Sequence, residues 1–235
     1  MTLLHLIPVG LGNPRPDDWL PRRAQEIAAH LPYFIAENAK SARAFLKLIE
    51  TTIPLTQIDI QVLRADTDDA QIRSWLRRVP PEADLGLVSE AGCPAVADPG
   101  ARVVAQAHDL GMRVIPWTGP SSIMLGLMAS GLQGQRFAFH GYPPIKAPER
   151  DARLRQWDTD SRRQAQTQIL IETPYRNAAL FDALLRCLHP RTRLCIASAL
   201  TCADESIQTR SVAQWRQAGR PDFEKKPTLF LFLAN

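Results

Sequence analysis

Short apolar runs and amphipathic stretches alternate along the first half of the chain, and the alternation predicts strands and helices in turn. Residues 3–9 read as a buried strand and Tyr33-Phe34-Ile35-Ala36 as a second. Between them, Asp17 or Asp18 is placed to cap a helix reaching about His30, with Pro21 in its first turn. Ala42, Phe45, Leu46 and Ile49 fall at helical spacing and predict a helix over 39–50. Ile58, Ile60 and Val62 alternate as a strand, and Asp66 then caps a helix carrying Ile72, Trp75, Leu76 and Val79. A strand at 85–89, a helix at 101–110, a stop at Gly111 and a strand at 113–117 complete the run. Strands and helices alternating at this period imply a mostly parallel sheet covered on both faces.

After Gly119-Pro120 the pattern changes. Ser121 or Ser122 starts an apolar helix to about Gly131, followed by a short strand at 136–139. Residues 146–163 are strongly charged and rich in arginine, as expected of an exposed helix. Strands at 167–172 and 193–199 flank a helix at 177–188. Ile207 belongs to a further strand, 212–218 to a helix and 228–233 to a terminal strand. Helices are fewer here and strands are joined more locally, which predicts an α+β half with a mixed sheet. The expected architecture is therefore α/β in two domains, residues 1–117 and 118–235.

Three turns rich in glycine and proline follow predicted strands. They are Pro8-Val9-Gly10-Leu11-Gly12-Asn13-Pro14, Ser89-Glu90-Ala91-Gly92-Cys93-Pro94-Ala95-Val96-Ala97-Asp98-Pro99-Gly100, and Thr118-Gly119-Pro120-Ser121-Ser122. Small residues at strand ends let backbone approach a ligand at the usual site of an open α/β sheet, so the turns point to one cleft.

Composition narrows this only slightly. A hydrophobic content of 45% is that of a globular chain. The formal charge of +4 admits an anionic partner such as RNA, and is equally ordinary surface charge. Cys93, Cys187, Cys195 and Cys202 form no CxxC pair and have no histidine at ligand spacing, so reduced thiols and no metal site are expected. No apolar run approaches about 18 residues and the start lacks a basic segment with a cleavage site. A cytoplasmic protein without a membrane span is expected.

The cleft is not a phosphate cradle of known pattern. There is no GxxxxGK[ST], and Gly10-Leu11-Gly12 lacks the third glycine of GxGxxG. Nor is there a GxSxG elbow; His5, His30, His108, His140 and His189 share no motif, and His5 and His30 read as structural or surface residues.

Taken together, the turns at 89–100 and 118–122, with Phe139-His140-Gly141-Tyr142-Pro143-Pro144, resemble the tetrapyrrole (corrin/porphyrin) methylase superfamily. Within it the chain looks most like the rRNA small subunit methyltransferase I branch, whose loops read approximately SDAGTPxxSDPG, PGPSA and FxGFxP. Glu172-Thr173-Pro174-Tyr175-Arg176 is similar to that branch's ES-P/T-H/Y-R segment. The resemblance covers essentially the whole chain. It implies S-adenosylmethionine bound in a cleft between two α/β domains, and a homodimer. It would place Leu11 in a first cofactor loop, Gly92, Cys93 and Val96 in a second, and Ser121 and Ser122 in a third. Glu172, Ala199, Pro227 and Thr228 would close the adenosine side. A sulfonium cofactor carries no phosphates, so backbone hydrogen bonds and small residues suit it.

Departures from the branch fall on the substrate side. In place of EDTR stands Glu37-Asn38-Ala39-Lys40, with Arg43 one turn later; in place of ARELTK stands Ala197-Ser198-Ala199-Leu200-Thr201-Cys202; in place of KGE stands Lys226-Pro227-Thr228. The chain thus looks like a divergent paralogue. For a ribose 2′-hydroxyl, Glu37 or Glu90 is the candidate general base, the plain alternative being a helix cap or an acceptor of loop N–H bonds. Lys40, Arg43, Tyr142, Tyr175 and Arg176 form the candidate substrate set. The arginines of 150–163 are either phosphate ligands or a solvated face. Three readings stay open: rRNA methylation, methylation of a small anionic tetrapyrrole-like molecule, and a cofactor-binding module without activity. The apolar stretch 223–232 and Trp215 offer contact area for a dimer.

Overall fold

The computed structural model describes residues 2–12 and 15–234. Asn13 and Pro14 of the first predicted turn lie outside them. The chain forms two compact units, Met1–Ser121 and Ser122–Asn235.

Unit 1 runs β1 (Leu3–Leu6), α1 (Arg22–Ala29), β2 (Tyr33–Ala36), α2 (Ala39–Leu48), β3 (Asp59–Val62), α3 (Asp69–Arg78), β4 (Leu85–Val88), α4 (Gly100–Asp109) and β5 (Arg113–Pro116). The strands lie in the order β3-β2-β4-β1-β5, every pair parallel. Alternation along β2 shows how both faces are filled. Phe34 and Ala36 join a cluster with Ile7, Phe45 and Leu46, while Ile35 joins Leu4, Ile72, Leu76 and Val103 on the other side.

Two helix starts differ from expectation. Asp17 and Asp18 sit in a 3-10 turn, Pro16–Asp18, and α1 begins only after Pro21, which has no side-chain cap. The extended backbone at Pro21 (ψ 138°) separates turn from helix. Asp17 instead accepts from Gln25 Nε2 at 2.9 Å. Asp68, not Asp66, caps α3, its Oδ1 accepting from the Gln71 N–H at 2.7 Å. The reason is local: Arg64 N–H donates to the Thr67 hydroxyl at 2.9 Å, which holds 64–67 in a turn and delays the helix.

Unit 2 runs α5 (Ser122–Ser130), β6 (Phe137–Phe139), α6 (Ala147–Gln164), β7 (Thr167–Glu172), α7 (Asn177–Cys187), β8 (Arg193–Ser198), β9 (Ser206–Ser211), α8 (Val212–Ala218) and β10 (Thr228–Leu233). Its sheet has the order β6-β7-β10-β8-β9, with β6 parallel to β7 and the other pairs antiparallel. β10 is central and covered twice. Phe230 and Phe232 face a cluster with Leu154, Phe181 and Trp215, whereas Leu229 and Leu231 meet Ile123 and Leu127 of α5.

That double cover corrects two expectations. Trp215 and Phe223, expected as dimer contact area, are only 1% and 2% exposed and belong to the core. The helix at 146–163 is not simply an exposed face: Leu154, Asp158 and Ser161 of α6 are buried. Its arginines are also drawn to carboxylates, Arg162 to Asp158 and Arg163 to Asp160, while Arg186 of α7 pairs with Asp151. These ion pairs engage part of the run, while Arg153 and Arg155 stay exposed on the outer face.

Candidate functional site

In unit 1 the strands β4, β1 and β5 are neighbours, so parallel order alone delivers the turns that follow them to one end of the sheet. Hydrogen bonds then join the turns. Val9 and Gly92 exchange backbone bonds, Val9 N–H to Gly92 O at 2.9 Å and Gly92 N–H to Val9 O at 2.8 Å. Cys93 Sγ donates to Pro120 O at 3.3 Å, tying the second turn to the third. A Cβ at Gly119 would collide with the Pro8 ring, so a side chain is excluded where the first and third turns touch. Gly92 has a different reason to be glycine: its φ is +75°, while a Cβ there would have room, 3.5 Å from Leu11 Cδ2 and 3.6 Å from Pro120 O.

The second turn is held in an uncommon shape by a residue the motif reading passed over. Asp98 accepts from Ala95 N–H at 3.0 Å and from Gly100 N–H at 2.6 Å. Ala95 and Ala97 adopt positive φ, 66° and 65°. Each such alanine costs about 1–2 kcal/mol, and the Asp98 bonds help offset it. The signal was present as Asp-Pro-Gly, an aspartate able to bond the backbone two residues on. Val96, between the two, is exposed at 49%.

At the end of β2, Glu37 reaches the same turn. Glu90 N–H donates to Glu37 Oε1 at 3.2 Å. Burial pushes the Glu37 carboxyl above its ordinary pKa; the Glu90 N–H pulls the other way, and the charges of Asp98 and Glu90 add to the rise. Burial likewise raises Asp98 and the Cys93 thiol. Asn38 caps α2, its Oδ1 accepting from Lys40 N–H at 2.8 Å and Ser41 N–H at 3.4 Å. Lys40 and Arg43 lie exposed on that helix. His5, read as structural, is buried and accepts from Trp117 Nε1 at 3.1 Å.

Unit 2 gathers most of the remaining candidates; Ser121 closes unit 1 and Ser122 opens α5. Glu172, at the end of β7, is engaged by Arg176: Nη2 donates to Oε2 at 2.9 Å and Nε lies 2.9 Å from Oε1. Thr173 N–H adds a bond to Oε2 at 2.6 Å. Both side chains are thus committed to each other, with Tyr175 exposed beside them and the Arg176 guanidinium 5.5 Å from its ring centre. Tyr142 is exposed as well. Ala199 N–H donates to Pro227 O at 2.9 Å, and Thr228 Oγ1 accepts from Asn177 Nδ2 at 3.1 Å. Ala199 and Thr201 both take positive φ, 51° and 69°.

These segments also carry the observation by which a polar ligand is judged. Among the described residues, Thr201 Oγ1 and Asn177 Oδ1 find no hydrogen-bond partner while shut from solvent. Leaving such atoms unpaired costs about 1–3 kcal/mol each, so a ligand that bonds one recovers that energy. In unit 1 the carboxylates of Glu37, Glu90 and Asp98 favour a cationic group over a phosphate. The turns of unit 1 therefore suit a positively charged group. Among the described residues, no cluster of three or more His, Cys, Asp or Glu suited to a metal occurs, and no helix is long and apolar enough to cross a membrane.

Comparison with known proteins identifies the family. The family model for tetrapyrrole (corrin/porphyrin) methylases matches residues 3–215. The chain is 30% identical over 210 residues to ribosomal RNA small subunit methyltransferase I of Xylella fastidiosa, covering 89% of this chain and 72% of that one. It is 26% identical over 212 residues to the protein of the same name from Vibrio cholerae, covering 90% and 69%. Among solved structures, the methyltransferase CobJ superposes with a TM-score of 0.63 at 14% identity, covering 99% of this chain and 93% of CobJ, a likeness of fold. Methyltransferases of this family generally use S-adenosylmethionine. The chain is a methyltransferase and belongs to the tetrapyrrole (corrin/porphyrin) methylase family.

Proposed function

We propose that this chain binds S-adenosylmethionine and methylates a ribose 2′-oxygen of small-subunit rRNA, in the cytoplasm and as a homodimer. The observation that carries the cofactor reading is the convergence of the three turns in unit 1, joined by the Val9–Gly92 bonds and by Cys93 Sγ on Pro120 O. The names of the relatives from Xylella and Vibrio support rRNA as the acceptor.

When bound, the cofactor supplies a methyl carbon activated by its sulfonium. In unit 1, Leu11, Gly92, Cys93, Val96 and Ser121 would be its ligands; in unit 2, Ser122, Glu172, Ala199, Pro227 and Thr228 are assigned to it from the family resemblance alone. Glu37 is the proton acceptor. Its carboxylate is placed by the Glu90 N–H, and burial makes it a stronger base than an exposed glutamate. Glu90 contributes through its backbone. Lys40 and Arg43, exposed on α2, meet the phosphates. Tyr142 and Tyr175 offer exposed rings to bases, and Arg176 keeps Glu172 in place.

Mass spectrometry of rRNA nucleosides from cells with and without the gene tests the acceptor. One methylated ribose should disappear with the gene and return when purified protein acts on undermethylated small subunits. If none is lost and no label is transferred, rRNA is not the substrate. Calorimetry with S-adenosylmethionine separates that result from loss of the cofactor reading. Binding without turnover on any RNA or tetrapyrrole would favour the inactive module.

A further inference from the structure

The strand β9 forms one edge of the unit 2 sheet. Its residues Ile207 and Thr209 turn inward, Ile207 packing beside the α5 cluster and Thr209 Oγ1 donating to Ser130 O at 2.7 Å. Period-two alternation therefore sends Ser206, Gln208 and Arg210 to the opposite face. There they line a cavity of about 250 Å³ together with Trp215, Arg220, Asp222 and Lys226. The three cations differ in what they have left to offer. Arg220 is held by Asp182 at 2.8 Å, and Lys226 lies between Asp204 at 3.1 Å and Asp222 at 3.0 Å. Among the described residues Arg210 has no carboxylate partner; its guanidinium carbon sits 4.8 Å from the Trp215 ring centre. Trp215 is fixed in turn, buried to 1% exposure with its Nε1–H donating to Leu194 O at 2.8 Å.

A guanidinium held over a rigid indole by a cation–π contact keeps an N–H edge with which to donate. That edge matches two oxygens of a phosphate, and the rotamer is already ordered. Ser206 and Gln208 add neutral donors on the same face of the strand.

We propose that this pocket on the outer edge of unit 2 is a phosphate-binding subsite for the RNA backbone, with Arg210 as its anchor. The proposal rests on the RNA reading above and assigns the RNA a contact outside the converging turns and the candidate substrate residues.

Binding of a short oligoribonucleotide of small-subunit rRNA sequence is measured from 50 to 200 mM salt for wild type, Arg210→Ala and Arg210→Lys, with S-adenosylmethionine affinity and urea unfolding as controls. One lost contact lowers the slope of log K against log salt by about 0.7 for single strands. Arg210→Ala should show that change and bind roughly tenfold more weakly. Arg210→Lys keeps the charge and cover of Trp215 but not the fork, and should retain the slope while losing several-fold affinity. Unchanged cofactor affinity completes the expected result. An unchanged affinity and slope in both variants, with wild type binding RNA, overturns the subsite alone. Wild type that binds no RNA overturns the RNA reading and the subsite together. Loss of RNA affinity reproduced in wild type by millimolar inorganic phosphate, absent in the Arg210 variants, supports the anion site directly. Equal competition by phosphate in all three proteins counts against it.

Discussion

Glu37 shows how one side chain is tuned by its neighbours. Burial raises its pKa more than the Glu90 N–H lowers it, so the folded state holds the proton more tightly than the unfolded chain does. Stability from this group is present at low pH and is lost as pH rises through the raised pKa. Glu37→Gln should therefore fold at neutral pH at least as stably as wild type in urea, since the amide oxygen still accepts the Glu90 bond. Methyl transfer should fall by about 10²-fold or more, with cofactor affinity held. The acid limb of the kcat/KM profile of wild type should lie above the pH of an ordinary glutamate. Cys93 makes the opposite case. Its thiol donates to Pro120 O at 3.3 Å, a role a hydroxyl keeps. Cys93→Ser should change S-adenosylmethionine affinity by less than about tenfold, or roughly 1.4 kcal/mol by calorimetry.

At the scale of elements, the turns depend on what they press against. Gly119→Ala would drive a methyl group into the Pro8 ring and push the first and third turns apart. We expect a loss of about 1–3 kcal/mol in unfolding free energy, and a weaker cofactor complex in calorimetry. Helix starts were legible in part. The helices beginning near 39 and 212 were read from the sequence, but their caps were not: Asn38 caps the first, and Ser211 forms a capping box with Gln214 in the second. Asn38→Ala should cost about 1 kcal/mol by urea unfolding. Asp66 and Asp17 misled because an acidic residue near a helix start is only a candidate. Thr67 and Pro21 shape the backbone that decides which residue becomes the cap.

At the scale of the molecule, the two units have separate cores, and dimerisation is expected to bring two 26.2 kDa chains together. Light scattering at micromolar concentration should give twice the chain mass; the monomer mass would dismiss the homodimer. The alternation of apolar runs was enough to place the parallel sheet, the mixed sheet and the three turns. Strand and helix periods are local properties, readable wherever one side of an element is buried. The motif residues named the family for the same reason, since a turn of fixed shape demands glycine and proline at fixed spacing. The tertiary structure alone decided the partners. Arg176 is spent on Glu172, the arginines of α6 partly on nearby aspartates, and Arg210 is left over on Trp215. Trp215 and Phe223 are inside, although the apolar stretch 223–232 and Trp215 read as contact area for a dimer. Pairing and burial depend on which strands become neighbours, and that is set by contacts between residues far apart in the chain.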